Sequence, residues 1–209
     1  MRKAASLALS IAGISALNTG TAIAADTPAK ELATVTTVAG SDVDLSTATV
    51  SHFGYDGSQT FSSPVMNADT PGAAEPSNWL PARLTSSVKT AAAPGGFVCT
   101  IWVGGVVADG LRDIKAGTHQ TCTGSFRTQW TQAQFASERG GWHRITNSII
   151  GPRSSQQIND TTFSVGCKSN PKDGRQNYRL EGRGYAIATN GVQVRGDLHY
   201  GKASKWTCV

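Results

Sequence analysis

Four histidines are the residues of this chain best suited to acid–base chemistry, and a group of arginines could bind phosphate. The histidines are far apart in sequence and belong to no HxH, HExxH or Cys/His metal-binding pattern: His52, His119, His143 and His199. Phosphate-binding glycine loops and the G-x-S-x-G turn of serine hydrolases are also absent from the sequence. We therefore predict no catalytic residue, no metal site and no cofactor.

One enzyme hypothesis stays open, a small basic secreted hydrolase or ribonuclease-like toxin. His143, His199 and Glu138 would act as general acid and base. The phosphate would be bound by arginines such as Arg127, Arg144 and Arg179. This chemistry requires the groups to meet in one cleft, and arginines that alternate along a strand more commonly form a solvated sheet face. We therefore expect no nucleic-acid partner.

Aromatic residues indicate a second alternative, a module that binds carbohydrate or an anionic polymer of the cell envelope. Tryptophan and tyrosine rings stack on sugars, while arginine and lysine attract anionic groups. Trp142 and Trp206 are predicted to be exposed, because they lie beside glycine, charged residues or the chain end. Trp102 and Trp130 lie inside predicted strands and are expected in the core.

Composition divides the chain into three segments. Residues 1–25 have a basic start, an apolar run and small residues, which is the pattern of a secretory signal peptide. The apolar run is shorter than the roughly 20 residues that span a bilayer. Residues 26–94 carry three basic and seven acidic residues, a formal charge of −4, and residues 95–209 carry fourteen basic and seven acidic ones, a charge of +7. We predict a secreted, extracellular protein without membrane insertion.

Residues 26–94 are predicted to form an acidic, Ala/Thr/Ser/Pro-rich extended segment and linker. Residues 34–38 and 47–53 have the β-branched content of strands, and Asp56 and Gly57 signal a hairpin turn, but so few strands are unstable alone. The segment is either a spacer or propeptide, or an arm that binds a secreted protein partner through main-chain hydrogen bonds. The candidate partner contacts are five residues of this segment and two tryptophans: Val35, Val50, Phe53, Tyr55, Phe61, Trp142 and Trp206.

Residues 95–209 predict an all-β domain, a disulfide-stapled antiparallel β-sandwich or small barrel. Short β-branched and aromatic runs alternate with glycine-rich turns, and Asn190 and Gly191 form a strong hairpin-turn signal. Within residues 95–209, only the run 131–139 could instead form a short helix. Four cysteines in an exported chain predict two disulfides with three alternative pairings. The smaller loops favour pairing of sequence neighbours, Cys99 with Cys122 and Cys167 with Cys208.

Five short motifs carry a resemblance to known proteins: FVCTIWVG, KAGTHQTCTG, TFSVGCK, NYRLEGRGYA and KWTC. They resemble a broad class of small secreted actinobacterial proteins with a paired-disulfide β domain, over residues 95–209. The two-part organisation is also similar to that of the adaptor subunits of secreted umbrella toxin particles, which join a lectin-bearing subunit to a larger scaffold. This similarity implies a non-enzymatic binding or adaptor role within a secreted antibacterial complex, and it assigns no functional residue.

Overall fold

The described part of the chain is an all-β structure. The computed structural model describes residues 35–39, 45–73, 75, 95–110, 113–166 and 176–206, which all belong to one compact unit. Two antiparallel sheets face each other across a shared core, so the prediction of an all-β sandwich or small barrel is confirmed. Within these residues, no helix has both the length and the apolar character needed to cross a membrane.

The first sheet draws its strands from three separate parts of the chain. Its eight strands are β1 (Val35–Ala39), β2 (Thr49–Tyr55), β3 (Thr60–Ser62), β4 (Met66–Asn67), β5 (Phe97–Val103), β6 (Val107–Asp109), β7 (Asp113–Gly124) and β11 (Ile158–Gly166). The main path follows the order β1, β11, β7, β5, β2, β3, while β4 pairs with β2 and β6 with β7. A 3-10 turn at Leu45–Thr47 leads into β2.

The second sheet is built around two long strands. Its seven strands are β8 (Phe126–Glu138), β9 (Trp142–Arg144), β10 (Ile149–Ile150), β12 (Gln176–Ala188), β13 (Gln193–Arg195), β14 (His199–Tyr200) and β15 (Ser204–Trp206). β8 and β12 pair along most of their length, β9 and β10 follow the far edge of β8, and the last three strands follow the far edge of β12. β8 therefore replaces the helix that residues 131–139 allow.

The chain passes from the first sheet to the second at a sharp turn. Ser125 is the only residue between β7 and β8, and Gly124 has a φ of 101°, a conformation that favours glycine. A Cβ on Gly124 would also lie 2.5 Å from the carbonyl oxygen of Gly96. The predicted turn at Asn190 and Gly191 is confirmed, since Gly191 has a φ of 92° and the turn joins β12 to β13.

The core between the sheets is mostly apolar but contains a polar layer. Phe53, Phe135 and Phe163 are fully buried among aliphatic residues of both sheets. Between β7 and β8, the Thr118 and Thr131 hydroxyls lie 2.7 Å apart, and further buried polar side chains join the layer. In it, Gln120 Nε2 donates to Gln129 Oε1 at 2.8 Å. These hydrogen bonds link the two sheets and offset the cost of burying polar groups.

Strand β2 belongs to the domain, which corrects the expectation of a separate extended segment at residues 26–94. It lies in the first sheet between β5 on one side and β3 and β4 on the other. Val50 and Phe53 are fully buried, and Tyr55 is nearly so. Burial against the core supplies the stability that short strands lack alone. The signal-peptide prediction at residues 1–25 lies outside the described residues, and so do residues 76–94 of the linker predicted for residues 62–94.

One predicted disulfide is confirmed. Cys99 on β5 and Cys122 on β7 are paired in register and bonded. The hairpin turn predicted at Asp56 is also present, because this carboxylate accepts hydrogen bonds from the backbone N–H groups of Ser58 and Gln59, both at 2.8 Å. The predicted bond between Cys167 and Cys208 lies outside the described residues and stays a prediction.

Candidate functional site

The outward side of the second sheet carries an unusual density of charged and aromatic side chains. Alternate residues of β8 and β12 point outward because those between them are buried in the core. Cross-strand register then places the outward residues side by side. We call this surface the ladder face, and define it by Trp130, Gln132, Gln134, Trp142, Arg144, Arg179, Glu181, Arg183, Tyr185 and Tyr200.

At one end of the ladder face, an arginine lies between two aromatic rings. The guanidinium carbon of Arg179 is 4.1 Å from the ring centroid of Trp142 and 3.9 Å from that of Tyr200. Both distances are within the range of cation–π attraction. Tyr200 remains 42% exposed, so part of its ring is available to a ligand.

Glu181 holds this stack in place from below. Its side chain is only 7% exposed, and its Oε1 accepts hydrogen bonds from Nε and Nη2 of Arg179 at 3.1 and 2.7 Å. Its Oε2 accepts a third hydrogen bond from Gln134 Nε2 at 2.7 Å and lies 3.8 Å from Nε of Arg144. A buried carboxylate requires such partners. Glu181 therefore orients the ladder face and has little capacity left for a ligand.

A second stack lies at the other end of the ladder face. The rings of Trp130 and Tyr185 are nearly parallel, with centroids 5.2 Å apart, and the guanidinium carbon of Arg153 lies 4.6 Å from the Trp130 ring. Tyr185 Oη donates to Gln132 Oε1 at 2.6 Å, and Gln132 Nε2 donates to Ser148 Oγ at 2.8 Å. This chain of hydrogen bonds orients the polar groups between the two stacks.

A cavity of about 270 Å³ opens between the two stacks. It is lined by Gln132, Gln134, Arg144, Ser148, Glu181, Arg183, Tyr185 and Leu198. Arg183 has no carboxylate within ion-pair distance among the described residues. The lining thus provides amide and hydroxyl groups for hydrogen bonding and a cationic side chain whose charge is unpaired in this part of the chain.

The residues predicted as partner contacts do not converge. Val50, Phe53 and Tyr55 are buried in the first sheet, and Phe61 is half-buried beside Gly54. Val35 pairs with Val165 at the sheet edge. Trp142 lies on the ladder face, whereas Trp206 packs against the core. An arm with these anchors therefore has few exposed contacts among the described residues.

The two tryptophans expected in the core occupy the outward sides of the sheets. Trp130 is buried, but it lies on the ladder face beneath Arg153 and beside Tyr185. Trp102 is half-buried and contacts His119 on the outward side of the first sheet. Both positions follow from strand alternation, because their sequence neighbours fill the interior.

The groups of the nuclease hypothesis lie in different environments. His199 is buried between the sheets: Thr49 Oγ1 donates to the backbone oxygen of Tyr200 and accepts from His199 Nδ1 at 2.7 Å. Burial lowers the pKa of His199 to about 3. His143 is exposed, with Nε2 3.0 Å from the backbone oxygen of Arg139. The two histidines are thus not brought together as an acid–base pair.

Sequence reasoning missed the central members of the ladder face. Alternating arginines such as Arg179 indicate a solvated strand face, but this pattern does not identify Glu181 or the glutamines of β8 as neighbours. The alternation of Arg179, Glu181 and Arg183 was the available signal. Its meaning depends on β8, whose register brings Gln132 and Gln134 beside these side chains.

No protein-family model matches the chain, and no curated protein has significant sequence similarity to it. Among the described residues, no group of three or more His, Cys, Asp or Glu side chains is arranged to hold a metal ion.

Proposed function

We propose that the protein is a non-enzymatic binding module that holds an anionic carbohydrate on the ladder face. The observation that carries this proposal is Arg183, a cationic residue of the cavity lining without a carboxylate partner in the described chain. Arginine forms planar, paired hydrogen bonds with carboxylate and phosphate groups. An anionic group of the ligand would therefore occupy the place of the missing partner.

The neutral part of the cavity lining fits a ligand with hydroxyl groups. Gln132 and Tyr185 are held in one chain of hydrogen bonds, and Oε1 of Gln134 has no hydrogen-bond partner among the residues described. Amide groups at defined positions are typical of sites that select polar ligands by orientation. Hydroxyl groups of a sugar ring match this mixture of donors and acceptors.

The dimensions favour one sugar residue at a time. A volume of about 270 Å³ lies just below the usual range of small-molecule pockets, roughly 300 to 1,000 Å³. Tyr200 extends the surface beyond the cavity and offers an exposed aromatic ring to a neighbouring sugar. A polymer chain that crosses the ladder face would place one residue in the cavity and another on this ring.

The charge of the chain supports an anionic polymer as ligand. The whole chain has a formal net charge of +5, and Arg144 and Arg183 outnumber Glu181 in the cavity lining. A basic surface raises the association rate of anionic polymers, and salt screens this attraction. Binding should therefore weaken as the ionic strength rises.

Substitution of Arg183 tests the proposal. We expect Arg183→Ala to weaken binding of immobilised polygalacturonate by about tenfold or more, because it removes a charged hydrogen-bond donor. Arg127→Ala is the matched control, since it removes the same charge from an exposed position of β8 outside the cavity lining. Equal losses in the two variants would indicate only general charge attraction and would contradict a site at Arg183.

The adaptor role and export remain predictions that the ladder face does not test. Isolation of the tagged protein from the culture medium of its producer would test both, with light scattering for size and mass spectrometry for partners. Large particles with stoichiometric partners would support an adaptor. A monomer that binds polygalacturonate through Arg183 would favour the carbohydrate-binding module alone.

A further inference from the structure

A second cluster of chemically active side chains lies on the outward side of the first sheet. Strand register places His119 on β7 directly between Trp102 on β5 and Asp160 on β11. The residues next to them in sequence are buried between the sheets, so these three point away from the core. The cluster is therefore on the opposite side of the sandwich from the ladder face.

The three side chains contact one another in a fixed arrangement. The imidazole of His119 lies against the Trp102 indole, with ring centroids 4.8 Å apart and the planes tilted by 57°. Its Nδ1 is hydrogen-bonded to Oδ1 of Asp160, and both side chains are about one-fifth exposed, at 20% and 21%. A carboxylate at this position selects the tautomer and orients the ring.

The cluster retains groups for a ligand. Nε2 of His119, Oδ2 of Asp160 and the indole N–H of Trp102 have no hydrogen-bond partner in the described chain. Thr121 and Ile158 are the neighbouring outward residues of β7 and β11, and Ile158 is among the most exposed apolar residues described. Donors, acceptors and an aromatic ring thus share one sheet surface.

We propose that this cluster is a second carbohydrate subsite, and that it binds a neutral sugar residue. One sugar face would stack on the Trp102 indole, while its hydroxyl groups would donate to Asp160 and bond with Nε2 of His119. A carboxylate without an arginine partner repels anionic sugars, so the ligand differs in charge from that of the ladder face. Because the sites lie on opposite sides, one molecule can link two polymer chains.

The neutral-sugar site stands independently of the proposed function, because it uses other residues and another ligand class, whereas the linking of two polymer chains rests on that function. The test titrates the ¹⁵N-labelled full chain with chitotetraose, cellotetraose and mannotetraose as neutral probes, and with tetragalacturonate as the anionic probe. The Trp102 indole resonance is assigned by Trp102→Phe. We expect at least one neutral tetrasaccharide to shift this resonance, and tetragalacturonate to leave it unchanged.

Two substitutions decide the role of the cluster. Asp160→Asn should weaken neutral-sugar binding by about tenfold, since it removes a charged acceptor while preserving size. Asp197→Asn is the control, as Asp197 is an exposed carboxylate outside the cluster. Arg183→Ala should leave neutral-sugar binding unchanged, so failure at one site is distinguishable from failure at the other.

Three results would overturn the inference. One is the absence of any Trp102 shift with all three neutral tetrasaccharides, and another is wild-type affinity in Asp160→Asn. The third is the appearance of new reducing ends during the titration, which would assign the Asp160–His119 pair to hydrolysis instead of binding.

Discussion

The two sheets share one core but differ in origin and in the chemistry of their outward sides. The first sheet combines strands from residues 35–67, 97–124 and 158–166, whereas the second combines strands from residues 126–150 and 176–206. Part of the outward side of the first sheet is covered by the chain at Ala73. The backbone oxygen of Ala73 accepts a hydrogen bond from His52 Nε2 at 2.8 Å. The second sheet instead presents the ladder face. The first sheet thus needs three distant chain segments, while the cavity lining comes from two segments, residues 132–148 and 181–198.

Phe53→Ala gives the largest expected effect and tests whether β2 is essential to the fold. Phe53 is fully buried, and its ring lies against Gly184 of β12 and Gly196, the residue after β13. Removal of a buried aromatic ring costs about 3–5 kcal/mol in the free energy of unfolding. Urea denaturation measures this loss.

Val65→Ala is the matched control for the β2 experiment. Val65 is an exposed apolar residue of the same segment, so its substitution should change the free energy of unfolding by less than about 0.5 kcal/mol. Wild-type stability in Phe53→Ala would restore the hypothesis of a separate N-terminal arm.

Arg179→Ala tests whether the ladder face also contributes to stability. The substitution leaves Glu181 buried without its bidentate partner, and we expect a loss of about 2–3 kcal/mol. Arg144→Ala serves as the control, because its side chain is 64% exposed and 3.8 Å from Glu181, which predicts a change below about 1 kcal/mol. Thermal unfolding of both variants at neutral pH makes the comparison. Equal losses of stability in the two variants would mean that the contact between Arg179 and Glu181 contributes no more than an exposed ion pair.

Acid titration gives the smallest expected change, counted as the loss of unfolding free energy per pH unit. It examines His199, which is buried between the two sheets. Burial lowers the pKa of His199 from 6.5 to about 3, so between these values the unfolded chain binds a proton that the folded chain does not. Stability should therefore fall as the pH falls below 6.5, by up to about 1.4 kcal/mol per pH unit. Burial also lowers the pKa of His52, which adds to this dependence.

A variant isolates the contribution of His199 to the acid sensitivity. His199→Gln should reduce the slope of unfolding free energy against pH. Urea denaturation measures this slope at roughly pH 7.5 and pH 5.5, on either side of the ordinary histidine pKa of 6.5. His143→Gln is the control, as His143 is exposed on β9. A slope unchanged by His199→Gln would show that other groups cause the acid sensitivity.

Local patterns predicted the β class, two hairpin turns and one disulfide, because each depends on residues close in sequence. Asp56 and Gly57, for example, form a turn through their own side-chain and backbone preferences. The membership of β2 in the domain was not predictable from composition. It depends on pairing with β5, far downstream, and on space for Phe53 created by Gly184 and Gly196.

The ladder face was only partly predictable for a related reason. Strand alternation places Arg179 and Arg183 on one side, but it does not show which residues of β8 lie opposite them. The aromatic partners of Arg179 come from β9 and β14, on opposite edges of the β8–β12 pair. Cross-strand register therefore determines which side chains lie together on the ladder face. Sequence periodicity determines only which side of the sheet each side chain faces.

The Cys99–Cys122 bond has a consequence for the order of assembly. It joins neighbouring strands across a sequence separation of 23, so the oxidised unfolded chain keeps β5 and β7 close together. We therefore expect refolding of the oxidised chain to begin from this tethered pair, with the distant strands β2 and β12 docking afterwards. The reduced chain must first close this loop at an entropic cost, and it should refold more slowly.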